Sequence, residues 1–396
     1  MRILHVTDAY LPKQGGIEVQ VRDLAVRQLA SGHEVSVLTC AAPTGAPARA
    51  TWTMGTEPAL DPPTAGPAVR RLGIPWPHVP ATNSAVHQVL TDVEPDVLHV
   101  HLSVLSPLSI LAVRAAARRR IPVVVTLHSL WWWATSLYAI AGLVTGWVRW
   151  PVHWTAVSEL AADPLRSLVR SPGEVSVMPN GVEPSDWQVE PDPRDDTEVV
   201  VVSVMRLALR KRPRALVDAV AAARSQLPTG LRLRVVVVGE GPQRRAVAAQ
   251  IRRLGLQDVV ELAGRMEHEA IRTLYRRADL YLAPATLESF GIAALEARCA
   301  GIPVIARRQT GIADFIHHGR HGLLAASDVG LAAAVVDLAV DPQRRRAMAE
   351  RNRACAPDTG WAEVLQRCEL AYKSAVEIAL ATRRTTLATR WPDLQR

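Results

Sequence analysis

Cysteine and lysine are scarce in this chain, three familiar motifs are missing, and each shortage argues against a chemistry. Only four cysteines occur among 396 residues, Cys40, Cys299, Cys355 and Cys368, far apart and with no CxxC spacing. A disulfide framework or zinc site is not expected, and a reducing, cytoplasmic setting is. Lysine stands only at Lys13, Lys211 and Lys373, so the net charge of +8 is carried by arginine. Most of that arginine reads as compositional bias. The clusters at 118–120, 206–214 and 344–346 leave an anionic ligand or an anionic membrane surface open. No nucleic-acid-reading motif accompanies the charge, so no nucleic-acid partner is expected. No Asp-x-Asp pair occurs, so no catalytic metal is expected. No G-x-G-x-x-G follows the first strand of either half, which disfavours a dinucleotide cofactor. The opening apolar run Met1–Val6 soon meets Asp8 and is too short for a signal peptide. Leu127 to Val148 contains no Asp, Glu, Lys or Arg. Gly142, Gly146 and His128 interrupt it, and spanning would sever the strand order around it, so a transmembrane helix is rejected.

What the chain does have is alternation. In the first half, strands are predicted at Arg2–Thr7, Glu34–Thr39, Asp96–His101, Pro122–Thr126, Thr155–Val157 and Val175–Met178, with helices after Gly15-Gly16 and over Ser109–Arg119. Residues 41 to 68 read as a long loop rich in Pro, Gly, Ala and Thr. The second half alternates more cleanly, with strands at Val199–Val204, Val235–Val238, Val259–Ala263, Leu280–Ala283 and Pro303–Ala306. Four-residue apolar runs such as Val235–Val238 suit parallel strands buried on both faces. The expected architecture is α/β, with two Rossmann-like domains facing a central cleft. Their expected bounds are 1–188 and 199–360, with a proline-broken linker at 189–198. A helix at 361–380 and a basic, aperiodic tail at 381–396 complete the chain.

Two carboxylates, Glu288 and Glu296, stand eight positions apart across a loop-to-helix junction after strand Leu280–Ala283. Eight helical residues rise about 12 Å, the span of a nucleoside diphosphate sugar. Free amides at the helix start would favour its diphosphate. By spacing alone, two solvated helix glutamates are the commoner arrangement.

The surrounding residues change that balance. The segment Glu288-Ser289-Phe290-Gly291-Ile292-Ala293-Ala294-Leu295-Glu296, with Gly301-Ile302-Pro303-Val304 behind it, resembles the glutamate–seven–glutamate signature of family 4 glycosyltransferases. Val238-Gly239-Glu240-Gly241-Pro242, Pro179-Asn180-Gly181-Val182 and His321-Gly322-Leu323-Leu324 extend the resemblance over most of the second half and the hinge. The resemblance implies two Rossmann-like domains, acceptor first and donor second, and a hexosyl transfer that retains the anomeric configuration. The donor is a sugar nucleotide, with mannose from GDP-mannose the first expectation and glucose or N-acetylglucosamine from a UDP donor the next. The acceptor is a hydroxyl, lipid-linked or not. No cofactor is expected; the nucleotide-diphosphate sugar enters as the donor substrate.

Site residues follow by matching positions. Arg206 and Lys211, in Met205-Arg206-Leu207-Ala208-Leu209-Arg210-Lys211-Arg212, match the cations that neutralise the donor diphosphate. Met205 and Arg212 replace residues that are usually or commonly glycine, and Arg210 or Arg212 is an alternative cation. Gly15 and Gly16 match a glycine-rich loop over the donor phosphates. Phe290, Gly291 and Ile292 bring amides to the diphosphate, Glu288 orients the sugar and Glu296 the ribose. Gly264-Arg265 is a candidate for reading the base. His128 matches a histidine near the transferred sugar, serving hydrogen bonding or proton handling. His99 and His101 read as structural, and Ser158-Glu159 as cleft floor or helix cap.

The run Trp131-Trp132-Trp133, with Tyr138, Trp147, Trp150 and Trp154, fits core packing and a peripheral membrane interface equally. Two rivals from other classes remain at this stage. One is a two-Rossmann sugar-nucleotide epimerase, which needs no acceptor. The other is a non-catalytic sugar-nucleotide-binding protein.

Overall fold

The computed structural model describes residues 1–12, 15–42, 59–60, 66–72, 79–131, 135–169, 175–193 and 195–390, side chains at 59–60, 79–81 and 383–390 excepted. Trp132, Trp133 and most of the 41–68 loop lie outside the described residues. The chain forms two compact units, Met1–Gly181 with Ala362–Arg396, and Val182–Trp361.

The first unit begins with β1 (Arg2–Thr7), α1 (Gly16–Ala30), β2 (Glu34–Thr39), β3 (Ala59–Leu60) and β4 (Ala68–Arg71). It continues with α2 (Val79–Val93), β5 (Val97–Leu102), α3 (Pro107–Arg119) and β6 (Val123–Leu127). Then come α4 (Thr135–Thr145), β7 (His153–Ala156), α5 (Glu159–Leu168) and β8 (Ser176–Val177). The strand order is β3-β4-β2-β1-β5-β6-β7-β8, parallel except for the β3–β4 pair. Winding runs outward in both directions from the β1–β5 neighbours, so the carboxyl ends of those two strands are the topological switch point.

The second unit holds α6 (Pro184–Trp187), β9 (Glu198–Val204), α7 (Pro213–Arg224), β10 (Arg232–Val238), α8 (Arg244–Arg253) and β11 (Val260–Gly264). It continues with α9 (His268–Tyr275), β12 (Leu280–Ala283), α10 (Ile292–Cys299), β13 (Val304–Arg307), β14 (Gly322–Ala325), α11 (Asp328–Val340) and α12 (Pro342–Ala354). Its all-parallel order is β11-β10-β9-β12-β13-β14, with the switch point between β9 and β12. Val199, Val201, Val235 and Val237 are buried in one core with Leu216, Val220 and Leu280. Each such side chain contributes roughly 1.5–3 kcal/mol through burial.

The last helix, α13 (Trp361–Arg390), packs into the first unit through Cys368, Tyr372 and Ala375. Composition predicted an aperiodic tail from residue 381, yet the backbone stays helical through Arg390. No proline or glycine interrupts that stretch before Pro392, so nothing breaks the hydrogen-bond ladder. Five helices, α2, α4, α5, α6 and α12, went unread in the sequence. In α4 an unbroken apolar composition hides the period, in α5 Pro164 interrupts it, and α12 carries few apolar residues. Among the described residues, no helix is long and apolar enough to cross a membrane.

Candidate functional site at two switch points

In the second unit the site begins where β9 ends. Gly239 and Gly241, just after β10, let that loop lie directly against the β9 exit. A Cβ on Gly239 would stand 1.9 Å from the carbonyl oxygen of Met205, and one on Gly241 2.4 Å from that of Leu207. The amides of Met205 and Leu207 bond the carbonyls of Val238 (3.0 Å) and Glu240 (2.9 Å), so the two exits hold each other in place. Met205 is accommodated through its backbone; the close approach is made from the β10 side.

A 3-10 turn, Leu209–Lys211, follows. Arg212 then takes a left-handed conformation, φ 55°. Glycine adopts that region without strain, which is why the resemblance favours glycine there. Arg212 bonds Asp328 with both terminal nitrogens, at 2.9 and 2.5 Å, and the carbonyl of Pro284 at 3.2 Å. Arg307 bonds the same carboxylate at 2.9 Å. Asp328 is thereby held below the usual carboxylate range, chiefly by its hydrogen bond from Arg212. The Arg212 guanidinium is therefore engaged with Asp328 and braces the turn. Lys211 points elsewhere: its Nζ lies 2.5 Å from Oε2 of Glu288, an ion pair across the switch point. Arg206 is exposed, with no side-chain ion pair among the described residues.

Glu288 sits in a turn clasped from behind. Its carbonyl accepts from the amide of Gly311 at 2.9 Å, and a Cβ on Gly311 would meet the carbonyl of Ser289 at 2.1 Å. Phe290 is buried and packs on Phe315 with ring centroids 5.3 Å apart. Gly291, φ 95°, is the N-cap of α10, and its carbonyl accepts from Ala294 and Leu295. The amides of Ile292 and Ala293 therefore open the helix in its first turn, where helical geometry gives them no partner.

Glu296 lies one turn deeper, and burial pushes its carboxyl up to about 8. Tyr281 on β12 lies within electrostatic range of both glutamates. Burial first, then the neighbouring charges of Glu296 and Glu288, raise its phenol, which donates to the carbonyl of Val204 at 3.0 Å. The tyrosine was missed in the sequence because it reads as one more buried strand residue.

The first unit carries a different assembly. Asp8, after β1, accepts from the amides of Leu108 and Ser109, both at 3.0 Å, and from Ser109 Oγ at 2.7 Å. It therefore caps α3 from another strand. Gly15 is extended, φ −160°, and precedes Gly16, the first residue of α1. Any residue adopts that conformation, and a Cβ there would meet only the flexible end of Glu18. Ser158 accepts from the amide of Ala161 at 3.2 Å, so its local role is the helix cap.

Strand register explains the histidines. His5 pairs with His99, His101 with Thr126, and Thr126 with Thr155. With a side-chain period of two, His5, His99, His101, Thr126, His128 and Thr155 share one face. His128 Nε2 lies 3.0 Å from His101 Nδ1, and His101 Nε2 lies 2.9 Å from His5 Nδ1. Ligand atoms of His5, His99 and His101 come within 4.8 Å of one another, near enough to share a metal ion. All six ring nitrogens, however, already have hydrogen-bond partners. Burial lowers the pKa of His128 and His5 to about 4, and those of His99 and His101 well below the usual value. His128 is therefore neutral near pH 7, which favours hydrogen bonding over proton handling.

The tryptophan segment resolves by residue. Trp131, Trp147 and Trp154 are buried, with edge-on ring contacts at 6.0 and 5.3 Å. The exposed apolar side chains belong to α4 instead: Leu137 (65%), Ile140 (60%), Leu143 (83%) and Val144 (82%).

Two family models match the chain, "Glycosyltransferase Family 4" over residues 14–186 and "Glycosyl transferases group 1" over 187–354. Among curated relatives, the glycogen synthase of Mycobacterium tuberculosis is 29% identical over 95% of both chains. A D-inositol 3-phosphate glycosyltransferase of Catenulispora acidiphila is 31% identical over 56% of each. Among solved structures, Anabaena Alr3699/HepE in complex with UDP superposes with a TM-score of 0.72 at 20% identity, over 94% of this chain and all of that one. The fold is that of GT-B transferases, and the chain belongs to the family 4 glycosyltransferases.

Proposed function

We propose that this glycosyltransferase moves a hexose from a nucleoside diphosphate donor to a hydroxyl acceptor with retention, and that the second unit's switch point holds the donor. The observation that carries this reading is the Lys211–Glu288 pair, set beside the open first turn of α10. An ammonium has three N–H donors, so Lys211 can keep Glu288 and still meet a diphosphate. Arg206 adds a second cation, and the amides of Phe290, Gly291 and Ile292 add donors at a helix N-terminus. Glu288 accepts from sugar hydroxyls and Glu296 from the ribose. In the reaction the bond from the anomeric carbon to the diphosphate breaks on the face where the acceptor oxygen bonds. The acceptor's proton passes to the departing diphosphate oxygen, whose charge Lys211 and Arg206 stabilise. By the family resemblance, His128 is the residue assigned to the sugar, and Gly15 and Gly16 are those assigned to the phosphates. Structural neighbours crystallised with UDP and UDP-glucose favour a UDP donor over GDP-mannose.

A lipid-linked acceptor is a further part of the reading. Leu137, Ile140 and Val144 form a stripe on α4, which carries no charged residue, and such a stripe suits the headgroup boundary of a bilayer. Retention by anionic vesicles in flotation, lost in Ile140→Ser/Val144→Ser, is expected; no retention removes membrane contact.

The deciding experiment is a thermal-shift screen of UDP- and GDP-sugars, followed by turnover with and without acceptor extract. Stabilisation by one donor, acceptor-dependent consumption and an anomeric coupling unchanged from donor to product are expected. Consumption without acceptor would establish an epimerase, and binding without turnover a non-catalytic protein.

A further inference from the structure

We propose that Gln28 is a positioning residue: it fixes the tautomer of His128, so that His128 presents Nδ1 as a hydrogen-bond acceptor. The basis is one unbroken relay on the buried face of the first sheet. Thr155 Oγ1 lies 3.3 Å from the carbonyl oxygen of Val125 and 2.7 Å from Thr126 Oγ1. Thr126 Oγ1 lies 2.8 Å from His99 Nε2, and His99 Nδ1 lies 2.9 Å from the hydroxyl of Tyr372. Tyr372 meets Gln28 Nε2 at 2.7 Å, and Gln28 Oε1 meets His5 Nε2 at 2.7 Å. His5 Nδ1 then meets His101 Nε2, and His101 Nδ1 meets His128 Nε2, at 2.9 and 3.0 Å.

Each hydroxyl in that chain has one hydrogen, and each neutral imidazole has one donor and one acceptor nitrogen. One committed end therefore settles every link. A backbone carbonyl can only accept, so Thr155 donates to Val125, and the single Thr126 hydrogen goes to Thr155 or to Met178 Sδ at 3.8 Å, in neither case to His99. Thr126 in turn accepts from His99 Nε2–H, whose Nδ1 accepts from Tyr372. The phenol oxygen accepts from the Gln28 amide, leaving Oε1 to accept from His5 Nε2–H. His5 Nδ1 accepts from His101 Nε2–H, and His101 Nδ1 accepts from His128 Nε2–H. What is left is His128 Nδ1, a bare lone pair with no partner among the described residues. Burial of all four imidazoles keeps the chain neutral.

Gln28 is the one member that joins both arms. A carboxamide has a donor end and an acceptor end, and no apolar residue of its size has either. A group that meets His128 Nδ1 must bring a hydrogen, as a sugar hydroxyl does. That last step rests on the transferase reading above, whereas the tautomer itself does not.

The test is a long-range proton–nitrogen correlation spectrum of the full chain labelled with imidazole 15N at pH 7.5, with His128 assigned by its loss in His128→Asn. His128 is expected to show a protonated Nε2 and a bare Nδ1. Gln28→Leu is expected to leave His128 divided between tautomers and to lower kcat/KM about two- to tenfold. A wild-type His128 protonated at Nδ1 overturns the proposal without help from any variant. So does a folded Gln28→Leu in which His128 stays wholly in the Nε2–H form. The expected tautomer in a protein that transfers no sugar would sink the transferase reading and leave the relay standing.

Discussion

The two units share a winding plan but equip their switch points in opposite ways. In the second unit the β9 and β12 exits face each other with full charges, Lys211 against Glu288, and exposed Arg206 stands a few residues before Lys211. In the first, β1 and β5 contribute imidazoles that burial keeps neutral, linked to one another and finally to His128. A charged exit suits a phosphate whose charge grows as a bond breaks. A neutral relay offers direction without charge, which suits a hydroxyl. On the reading proposed above, the same topology would serve electrostatics in one unit and orientation in the other.

That contrast sets the order of expected losses. Lys211→Ala and Glu288→Ala should each lower kcat by about 10²–10³-fold, the usual cost of removing a charge-stabilising group. Melting temperature should barely move. His128→Asn should cost only about tenfold, the worth of one hydrogen bond. Initial rates on matched preparations check this, and equal losses in both units would erase the contrast.

The units should also fail at opposite ends of the pH scale. His5 and His128 have folded pKa values near 4, below the ordinary value of 6.5. Between those values the unfolded chain binds more protons than the native one, so stability present above pH 6.5 is lost as pH falls toward 4. The cost is on the order of 3 kcal/mol for each histidine. Glu296 runs the other way: its raised pKa gives stability that is present at low pH and lost as pH rises through about 8. Hydrogen exchange at pH 5 should therefore strip protection from β1, β5 and β6 before β9 and β12.

A smaller effect separates Glu296 from its fold. If its carboxylate accepts from ribose, donor affinity should tighten several-fold between pH 7 and 8.5. Glu296→Gln should flatten that slope, and calorimetry in two buffers should show a proton released on binding. The smallest effects fall on the arginines. Arg206→Ala should lower kcat a few-fold, less than Lys211→Ala because water screens its exposed charge, and more at low salt than high. Arg212→Leu should instead cost about 1 kcal/mol of stability through its bond to Asp328.

Much of the second unit was legible because parallel strands buried on both faces announce themselves as valine runs, and because glycines mark close backbone approaches. Glu288 and Lys211 were readable as candidates. That they meet was not, since 77 positions and a fold separate them. Nor could the sequence choose among Arg210, Lys211 and Arg212; in the structure Lys211 pairs with Glu288 and Arg212 with Asp328. In the first unit, His5, His99 and His101 interrupt otherwise apolar strands at period two. Buried polar groups need partners, and that was the available sign of a relay. Gln28 and Tyr372 could not be found this way, because their part depends on how α1 and α13 pack on the sheet.

The most direct trial of the charged switch point is calorimetric titration of UDP, and of GDP beside it, into wild type and Lys211→Ala. One nucleotide should bind wild type with its affinity reduced at least tenfold in the variant, while UDP-free melting curves coincide. Equal binding by both proteins, or binding by neither, would contradict the account.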